Sequence, residues 1–264
     1  MCCCTFIPVT VYGCNGKMGQ TITRLIEEEN DVEIVAGIDV CDTVKNSYPV
    51  FQNIADCDVE ADVVIDFSSP VCTDALLDWC ADKQVPVVEC TTGLSEAQLA
   101  RIKETSAKVA VLKSANMSMG INLLEKLLKE AAGLLAEAGY DIEIVEKHHK
   151  LKKDAPSGTA LALGDAINEG LSEKYEYVFD RSQRSIPRPQ KEIGFSAVRG
   201  GTIVGDHDVI FAGEDEVITF SHRAYSKAVF GKGAVQAAKF LCGKQPGLYD
   251  MSDVTVSYTH LTLP

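Results

Sequence analysis

The stretch VYGCNGKMGQTI, residues 11–22, decides the fold of the first half of the chain. It places Gly13, Gly16 and Gly19 between a valine-rich segment and a segment with helical periodicity. Glycine permits a tight turn from strand to helix and lets a phosphate group approach the backbone closely. A helix that starts here would present unpaired N–H groups and partial positive charge to an anion. The spacing G-x-x-G-x-x-G is not the commoner G-x-G-x-x-G, so an ordinary strand-to-helix turn is the alternative.

Asp39, twenty residues beyond Gly19, favours binding of a dinucleotide at this turn. It follows the segment VEIVAGI, residues 32–38, where a carboxylate can accept hydrogen bonds from ribose hydroxyls. A lone Asp at a strand end can equally be solvated. Val40 follows it, not arginine, so no adjacent charge is placed to neutralise a 2′-phosphate. We predict a nicotinamide cofactor, with NADH bound at least as well as NADPH; Lys17 is the residue to suspect if NADPH is preferred.

The order of segments predicts an α/β protein of two domains. Over the first 115 residues, short segments rich in valine and isoleucine alternate with helical segments, which predicts a Rossmann-like parallel sheet covered on both faces. Beyond residues 114–122, SANMSMGIN, a long amphipathic helix precedes several strands, as in an α+β domain with a mixed sheet. The predicted dinucleotide-binding domain comprises residues 1–117 and 228–264, and the substrate domain comprises residues 118–227.

Composition limits the partners. The chain has 264 residues, a net charge of −13 and 46% hydrophobic residues, which fits a globular protein with a large core. So acidic a chain lacks the broad basic face that nucleic acid requires. No apolar run approaches the roughly 20 residues that span a bilayer, and the N-terminus lacks the basic region of a signal peptide. We expect a cytoplasmic protein with a small-molecule partner and neither a nucleic-acid nor a membrane partner.

The ten cysteines predict reduced thiols rather than disulfides or a metal site. Seven of them are scattered singly, mostly among apolar residues, and a chain without an export signal favours free cysteines. Cys2, Cys3 and Cys4 have no C-x-x-C spacing and no nearby histidine, so metal binding there is the weaker alternative.

Two further loops follow predicted strands of the first sheet. They are CTTG, residues 90–93, and SANMS, residues 114–118. Ligands of open α/β sheets lie across the carboxyl ends of the strands. Thr91, Thr92 and Asn116 are therefore candidates to line the nicotinamide side, although the same residues also suit plain turns and helix caps.

The segment EKHHKLKKDAPSGTA, residues 146–160, concentrates cations in an acidic chain. His148 and Lys152 are four residues apart and can face one site, where both can exchange a proton. Pro156 suits the first turn of a helix whose N–H groups at Gly158 and Thr159 could receive a carboxylate. A solvated loop before an ordinary helix start is the alternative.

The extended segment EKHHKLKKDAPSGTALALG resembles the E-x-H-H-x-x-K-x-D-A-P-S-G-T-A signature of the 4-hydroxy-tetrahydrodipicolinate reductase family. The segments GCNGKMG, DVVIDFSSP, CTTG, SANMSMGIN, GFSAVRGGTIVGDH and GLYDMSDV are similar to the family's other blocks, in the same order. The resemblance covers about residues 7–254. The sequence departs from the family in its MCCC start and in its tail after Val254.

This resemblance implies reduction of a cyclic imine dicarboxylate by hydride from NADH or NADPH, in the diaminopimelate route to lysine. It implies that His148 is the catalytic proton donor and acceptor, that Lys152 is a proton donor, and that His149, Gly158 and Thr159 contact a substrate carboxylate. The implied cofactor-binding residues are Gly13, Cys14, Asn15, Gly16, Lys17, Met18, Asp39, Cys90, Thr91, Thr92, Ser114, Ala115, Asn116 and Met117. It also implies a homotetramer built by the sheet of residues 118–227, and no metal site.

Two other functions stay open from the residues alone. A non-catalytic NADH-binding sensor, redox-active through Cys14 or Cys90, would keep the glycine loop but would have no use for His148 and Lys152 beside a carboxylate-binding helix end. A different imine or aldehyde reductase would share the cofactor domain.

Overall fold

The computed structural model describes residues 6–41, 43–114, 116–182 and 184–255. These residues form two compact units: the described parts of Met1–Ser118 and Ala228–Pro264 make the first, and those of Met119–Lys227 make the second. The predictions for residues 2–4, for Ala115 and for the tail beyond residue 255 lie outside the described residues. Within the described ranges, no helix is long and apolar enough to cross a bilayer.

The first unit is built on a sheet of seven parallel strands. They are β1 (Ile7–Tyr12), β2 (Val32–Ile38), β3 (Val50–Phe51), β4 (Val63–Asp66), β5 (Val87–Glu89), β6 (Ala110–Lys113) and β12 (Gly247–Tyr249). Their order is β12-β6-β5-β4-β1-β2-β3. The helices of this unit are α1 (Lys17–Glu27), α2 (Pro70–Lys83), α3 (Glu96–Ser106) and α6 (Ala228–Leu241).

The centre of this sheet is buried because helices cover it. All four residues of β4 are fully buried, as expected for a parallel strand with both faces covered. Helix α6 packs against α1 and against β4, β5 and β6, so the apolar helix near the C-terminus belongs to the first unit. The prediction of a Rossmann-like parallel sheet is confirmed.

The second unit contains a mixed sheet of five strands, as predicted. They are β7 (Asp141–His148), β8 (Glu176–Val178), β9 (Glu192–Arg199), β10 (Gly205–Ala212) and β11 (Val217–Ala224), in the order β11-β10-β7-β9-β8. The pairs β7–β9 and β8–β9 are parallel, whereas β10 is antiparallel to both β7 and β11. Helices α4 (Met119–Glu137) and α5 (Gly158–Gly170) pack on each other.

Strand β7 explains how this unit positions polar side chains. Every second residue of the strand is buried, from Ile142 and Ile144 to Glu146 and His148. Successive residues of a strand point to opposite faces, so these four share one face of the sheet. Ile142 and Ile144 belong to the hydrophobic core. The same face therefore changes from apolar to ionisable at the carboxyl end of β7.

Helix α5 begins two residues later than its sequence predicts. It starts at Gly158 rather than at Pro156, and Ser157 is the N-cap. The Ser157 hydroxyl accepts a hydrogen bond of 3.2 Å from Ala160 N–H. A serine that satisfies an N–H group of the first turn fixes a helix start more effectively than proline, which supplies no acceptor side chain.

Candidate active site

The glycine loop between β1 and α1 leaves no room for a side chain at Gly13 or Gly19. Gly13 has φ +78°, and a Cβ there would lie 2.6 Å from the Phe67 carbonyl oxygen. A Cβ on Gly19 would lie 2.2 Å from the Gly13 carbonyl oxygen. Gly16 is exposed and is the N-cap of α1, so no cap side chain covers the helix start. The loop thus has the close-packed, uncapped form that suits a phosphate group.

Asp39 lies beside this loop. Its carboxylate accepts hydrogen bonds from the backbone N–H groups of Asn15 and Cys41, both at 2.9 Å. Each carboxylate oxygen has two lone pairs, so acceptor capacity remains for ribose hydroxyls. Asn15 and Met18 are half-buried, and Lys17 is exposed at the start of α1. The segment therefore offers an acceptor and an exposed cation near one helix start.

The loop of residues 90–92 is largely buried. Cys90 and Thr91 are buried, whereas Thr92 is exposed. The Thr91 hydroxyl donates to Asp66 at 2.6 Å. Burial, assisted by the nearby carboxylates of Asp66 and Glu89, raises the pKa of the Cys90 thiol well above its ordinary value. A buried, protonated thiol is a poor redox centre, which weakens the sensor hypothesis; Cys14, its other candidate cysteine, is also fully buried.

The segment that follows β6 is packed against helix α6. Ser114 and Asn116 are half-buried, and Met117 is buried. The Asn116 side chain accepts a hydrogen bond of 2.8 Å from Ser118 N–H. A Cβ on Gly233 of α6 would lie 1.6 Å from the Met117 carbonyl oxygen, so only glycine permits this packing. The requirement at Gly233 was not recognised from the sequence.

These segments fit a dinucleotide. The described residues predicted to bind it lie just beyond the carboxyl ends of β1, β2, β5 and β6, within one parallel sheet. This is the edge at which open α/β sheets bind their ligands.

In the second unit, His148 is held by a buried carboxylate. His148 Nδ1 lies 2.5 Å from Glu146 Oε2. Arg199 donates two hydrogen bonds to the same carboxylate, at 2.7 and 2.6 Å, and the Ser157 N–H donates a further one at 3.0 Å. The Glu146 side chain is 1% exposed. The bond at Nδ1 directs Nε2 away from the carboxylate and fixes the orientation of the ring.

The groups around Glu146 and His148 shift their pKa values in opposite directions. Burial raises the pKa of Glu146, but hydrogen bonds from Arg199 and His148 outweigh it and leave the pKa below its ordinary value. Burial lowers the pKa of His148, Lys152 and Arg199 lower it further, and Glu146 counteracts them only in part. The pair at neutral pH is therefore an ionised Glu146 and a neutral His148.

Space at His148 Nε2 is kept by a glycine. A Cβ on Gly205 would lie 3.1 Å from Nε2. His207 lies beside the same ring, with its ring centroid 5.2 Å from that of His148 in an edge-to-face arrangement. Burial and the neighbouring His148 lower the pKa of His207 to about 4, and its Nε2 lies 3.1 Å from the Ser157 hydroxyl. His207 is therefore neutral, and it contacts both the His148 ring and Ser157 at the start of α5.

The remaining predicted residues of this unit lie around the same segment. Lys152 Nζ pairs with Asp154 at 2.9 Å and is 22% exposed. His149 is half-buried, and its Nδ1 is buried without a hydrogen-bond partner in the described part of the chain. Gly158 and Thr159 are the first two residues of α5, at the positive end of the helix dipole. The segment offers cations and N–H donors that suit an anion.

Sequence reasoning missed the residues that hold His148. Glu146, Arg199 and His207 all fall within the segments that carry the family resemblance, but no role was assigned to them. Arg199 and Glu146 are 53 residues apart and meet because β7 and β9 pair in parallel. Period-two alternation in β7 was the available signal, since it places Glu146 on the face of His148.

A parallel dinucleotide-type sheet together with a mixed-sheet unit that carries a histidine–carboxylate pair is characteristic of dinucleotide-dependent oxidoreductases. Residues 7–117 match the family model "Dihydrodipicolinate reductase, N-terminus", and residues 120–255 match "Dihydrodipicolinate reductase, C-terminus". The chain therefore belongs to the dihydrodipicolinate reductase family, a family of oxidoreductases that acts in diaminopimelate and lysine biosynthesis.

Individual relatives agree with this assignment. The chain is 53% identical over 248 residues to the 4-hydroxy-tetrahydrodipicolinate reductase of Caldanaerobacter subterraneus subsp. tengcongensis, covering 94% of this chain and 98% of the relative. It is 49% identical over 245 residues to the enzyme of the same name from Clostridium tetani, covering 93% and 95%. Its fold is similar to that of dipicolinate-bound dihydrodipicolinate reductase from Paenisporosarcina sp. TG-14, with TM-score 0.77, 24% identity and coverage of 93% and 98%.

Proposed function

We propose that this chain reduces 4-hydroxy-tetrahydrodipicolinate to tetrahydrodipicolinate with NADH or NADPH. The observation that carries the proposal is the buried carboxylate of Glu146, which holds His148 by its Nδ1 next to the start of α5 and the Lys152 ammonium. The family membership and the high identity to named reductases support it. The proposed location is the cytoplasm, where reduced nicotinamide cofactor is supplied.

The N-terminal part of the second unit's helix α5 is the proposed carboxylate cradle. Gly158 and Thr159 provide N–H groups of the first helical turn, and the dipole of the 13-residue helix favours an anion there. Lys152 and His149 lie in the segment immediately before it and would add positive charge or hydrogen bonds. A dicarboxylate is the class of substrate that such a set of donors would select.

His148 and Lys152 are the proposed acids. When bound, reduced nicotinamide supplies the hydride. The substrate then needs a proton. His148 is neutral at rest, so its Nε2 would first take a proton from solvent, with the ionised Glu146 stabilising the imidazolium, and would then pass that proton to the substrate. Gly205 keeps Nε2 accessible, and the Lys152 ammonium is the second proton source.

The assay is oxidation of NADH and of NADPH with freshly generated product of dihydrodipicolinate synthase, with pyrroline carboxylate as the control substrate. We expect turnover with the first substrate only. Turnover of both substrates at similar kcat/KM would favour a general imine reductase, and cofactor binding without turnover of either would favour the sensor.

Two variants test the proposed acids. His148→Gln is expected to lower kcat by roughly a hundredfold or more while NADH affinity stays nearly unchanged. Lys152→Ala should raise KM for the dicarboxylate and lower kcat, whereas Lys153→Ala, which removes the exposed neighbouring lysine, should alter neither. An unchanged kcat in His148→Gln would remove His148 from the mechanism, and a Lys152→Ala variant that differs only in stability would support the solvated-loop alternative.

The cofactor preference follows from Asp39 and its surroundings. Its carboxylate would repel the 2′-phosphate of NADPH, and the next side chain, Val40, is 81% exposed and uncharged. We propose that NADH serves at least as well as NADPH. Steady-state constants with a hundredfold preference for NADPH would contradict this, and Lys17→Ala would then show whether the exposed lysine supplies the compensating charge.

A homotetramer is the proposed assembly. Strand β11 lies at the edge of the mixed sheet, where exposed residues alternate with residues that are half-buried or, at Ala224, buried. An edge strand of eight residues can extend a sheet across copies or pack with them. Light scattering after size-exclusion chromatography should give four chains per particle; a monomer at micromolar concentration would contradict the proposal.

A further inference from the structure

All three polar groups of Thr91 are held by side chains that end three neighbouring strands. Asp66, Glu89 and Lys113 are the last residues of β4, β5 and β6, and they are partners in the parallel register. The Thr91 hydroxyl donates to Asp66 at 2.6 Å, and the Thr91 N–H donates to Glu89 at 2.9 Å. Lys113 Nζ donates to the Thr91 carbonyl oxygen at 2.8 Å. We refer to Asp66, Glu89 and Lys113 as the strand-end clamp.

The clamp is more elaborate than a loop of this kind requires. Asp66 and Glu89 are both fully buried, and placing two carboxylates side by side in a protein interior is costly. A backbone hydrogen bond from Cys90 N–H to the Asp66 carbonyl oxygen, at 3.0 Å, already ties the start of this loop to the neighbouring strand β4. The ionisable side chains therefore serve the placement of Thr91 rather than closure of the turn.

The clamp also balances its own charge. Burial raises the pKa of Glu89 to about 9, and the adjacent Asp66 adds to this effect. At neutral pH the cluster thus contains a protonated Glu89, with the Lys113 ammonium offsetting the charge of Asp66. A neutral cluster can remain buried, and each of its members keeps the hydrogen bond to Thr91.

The residue after Thr91 is the exposed one. Thr92 is exposed whereas Cys90 and Thr91 are buried, so Thr92 is the member of the loop that a ligand can reach. Its backbone position is determined by Thr91, whose carbonyl group forms the peptide bond between them. We propose that Asp66, Glu89 and Lys113 are positioning residues that fix Thr91 and thereby hold Thr92 for contact with the nicotinamide cofactor, an inference that rests on the proposed function.

Direct binding of NADH tests the clamp without substrate. Glu89→Leu and Lys113→Met each remove one hydrogen bond to Thr91, and we expect NADH to bind roughly tenfold more weakly by calorimetry at pH 7.5. The conservative variants Glu89→Gln and Lys113→Arg keep those bonds and should restore affinity to within about twofold. The exposed residues Glu104 and Lys108 of the same unit provide the matched controls Glu104→Leu and Lys108→Met, which should bind NADH normally. Dissociation constants within twofold of wild type in folded Glu89→Leu and Lys113→Met would overturn the inference.

A pH series keeps the inference falsifiable if the apolar variants fail to fold. Above about pH 9 the wild-type Glu89 ionises next to Asp66, so its NADH dissociation constant should rise relative to that of Glu89→Gln. The other titratable groups that face Glu89 are Asp66, Lys113, Cys80 of α2 and Cys90, and they are common to both proteins. A ratio of dissociation constants that stays constant from pH 7 to 10 would overturn the clamp.

The outcomes separate this inference from the proposed function. Wild-type protein that binds NADH but does not turn over the dicarboxylate would refute the proposed function while the clamp variants still report on the loop. Active wild-type protein with normal NADH affinity in every clamp variant would refute the clamp alone.

Discussion

Replacing Arg199 with methionine removes the cation that balances a buried carboxylate while keeping much of the apolar stem. Arg199 and Glu146 share two hydrogen bonds of 2.7 and 2.6 Å, and their side chains are 19% and 1% exposed. Loss of one partner of a buried ion pair costs about 3–5 kcal/mol, because the other charge stays buried without compensation. We expect Arg199→Met to lower the free energy of unfolding by about this amount at pH 8.

His148 should partly compensate at lower pH. Burial is the main cause of the lowered pKa of His148 and Arg199 lowers it further, so removal of Arg199 should raise that pKa relative to the wild-type protein. A histidine whose pKa is raised in the folded state contributes stability below its unfolded pKa of about 6.5, and this contribution is lost as pH rises through the folded pKa. The deficit of Arg199→Met should therefore be smaller at pH 6 than at pH 8.

Urea unfolding at the two pH values, with protein concentration held fixed, measures both effects. The matched control is Arg223→Met in β11, since Arg223 pairs with Asp206 at 3.1 Å but is 61% exposed. An exposed pair contributes at most about 1 kcal/mol. Two results would contradict this reasoning: a stability loss in Arg199→Met no larger than that in Arg223→Met, or an equal loss at pH 6 and pH 8. Either would show that Arg199 does not compensate a buried negative charge on Glu146.

Two further predictions concern the first unit. Gly19→Ala places a Cβ 2.2 Å from the Gly13 carbonyl oxygen and should displace the loop enough to weaken NADH binding at least tenfold. The control is Gly200→Ala, whose Cβ meets no atom within 4 Å and which should bind NADH normally. Equal affinity of the two variants in calorimetry would show that the loop need not be close-packed. Because burial raises the pKa of Glu89 from 4.5 to about 9, the folded protein retains a proton that the unfolded chain releases. The stability of Glu89→Gln relative to wild type should therefore rise by about 1.4 kcal/mol per pH unit between about pH 5 and 9; parallel stability curves in urea would contradict this.

The features that the sequence predicted are those with a local signature. Gly19 is required by backbone atoms of Gly13 and Cys14, a few residues away, and alternation of strands and helices is visible within each segment. Gly13 is excluded from carrying a side chain by the distant Phe67, but its spacing from Gly16 and Gly19 marked it in the sequence. The short strands β3 and β12 were not predicted, because two or three residues carry no period and β12 pairs with β6 from far along the chain.

The polar contacts of the candidate site were less predictable. His148 and Lys152 stood out because they are close in sequence and unusual in so acidic a chain. The pairing of Arg199 with Glu146 spans 53 residues, and that of Thr91 with Asp66 spans 25. Such contacts depend on which strands become neighbours in the sheet, and ionisable residues at strand ends leave no periodic pattern from which the pairing could be inferred.

The two buried glutamates show why such partners must be known before a pH profile can be interpreted. Glu146 is paired with Arg199, so its pKa is lowered, and the stability it contributes is present above its unfolded pKa and is lost as pH falls through the folded one. Burial raises the pKa of Glu89 and the adjacent carboxylate of Asp66 raises it further, so the contribution of Glu89 is lost as pH rises towards about 9. The same residue type thus limits stability from the acid side in one unit and from the alkaline side in the other. Burial raises the pKa of both side chains, but the hydrogen bonds from Arg199 and His148 outweigh it at Glu146, whereas the neighbouring Asp66 adds to it at Glu89.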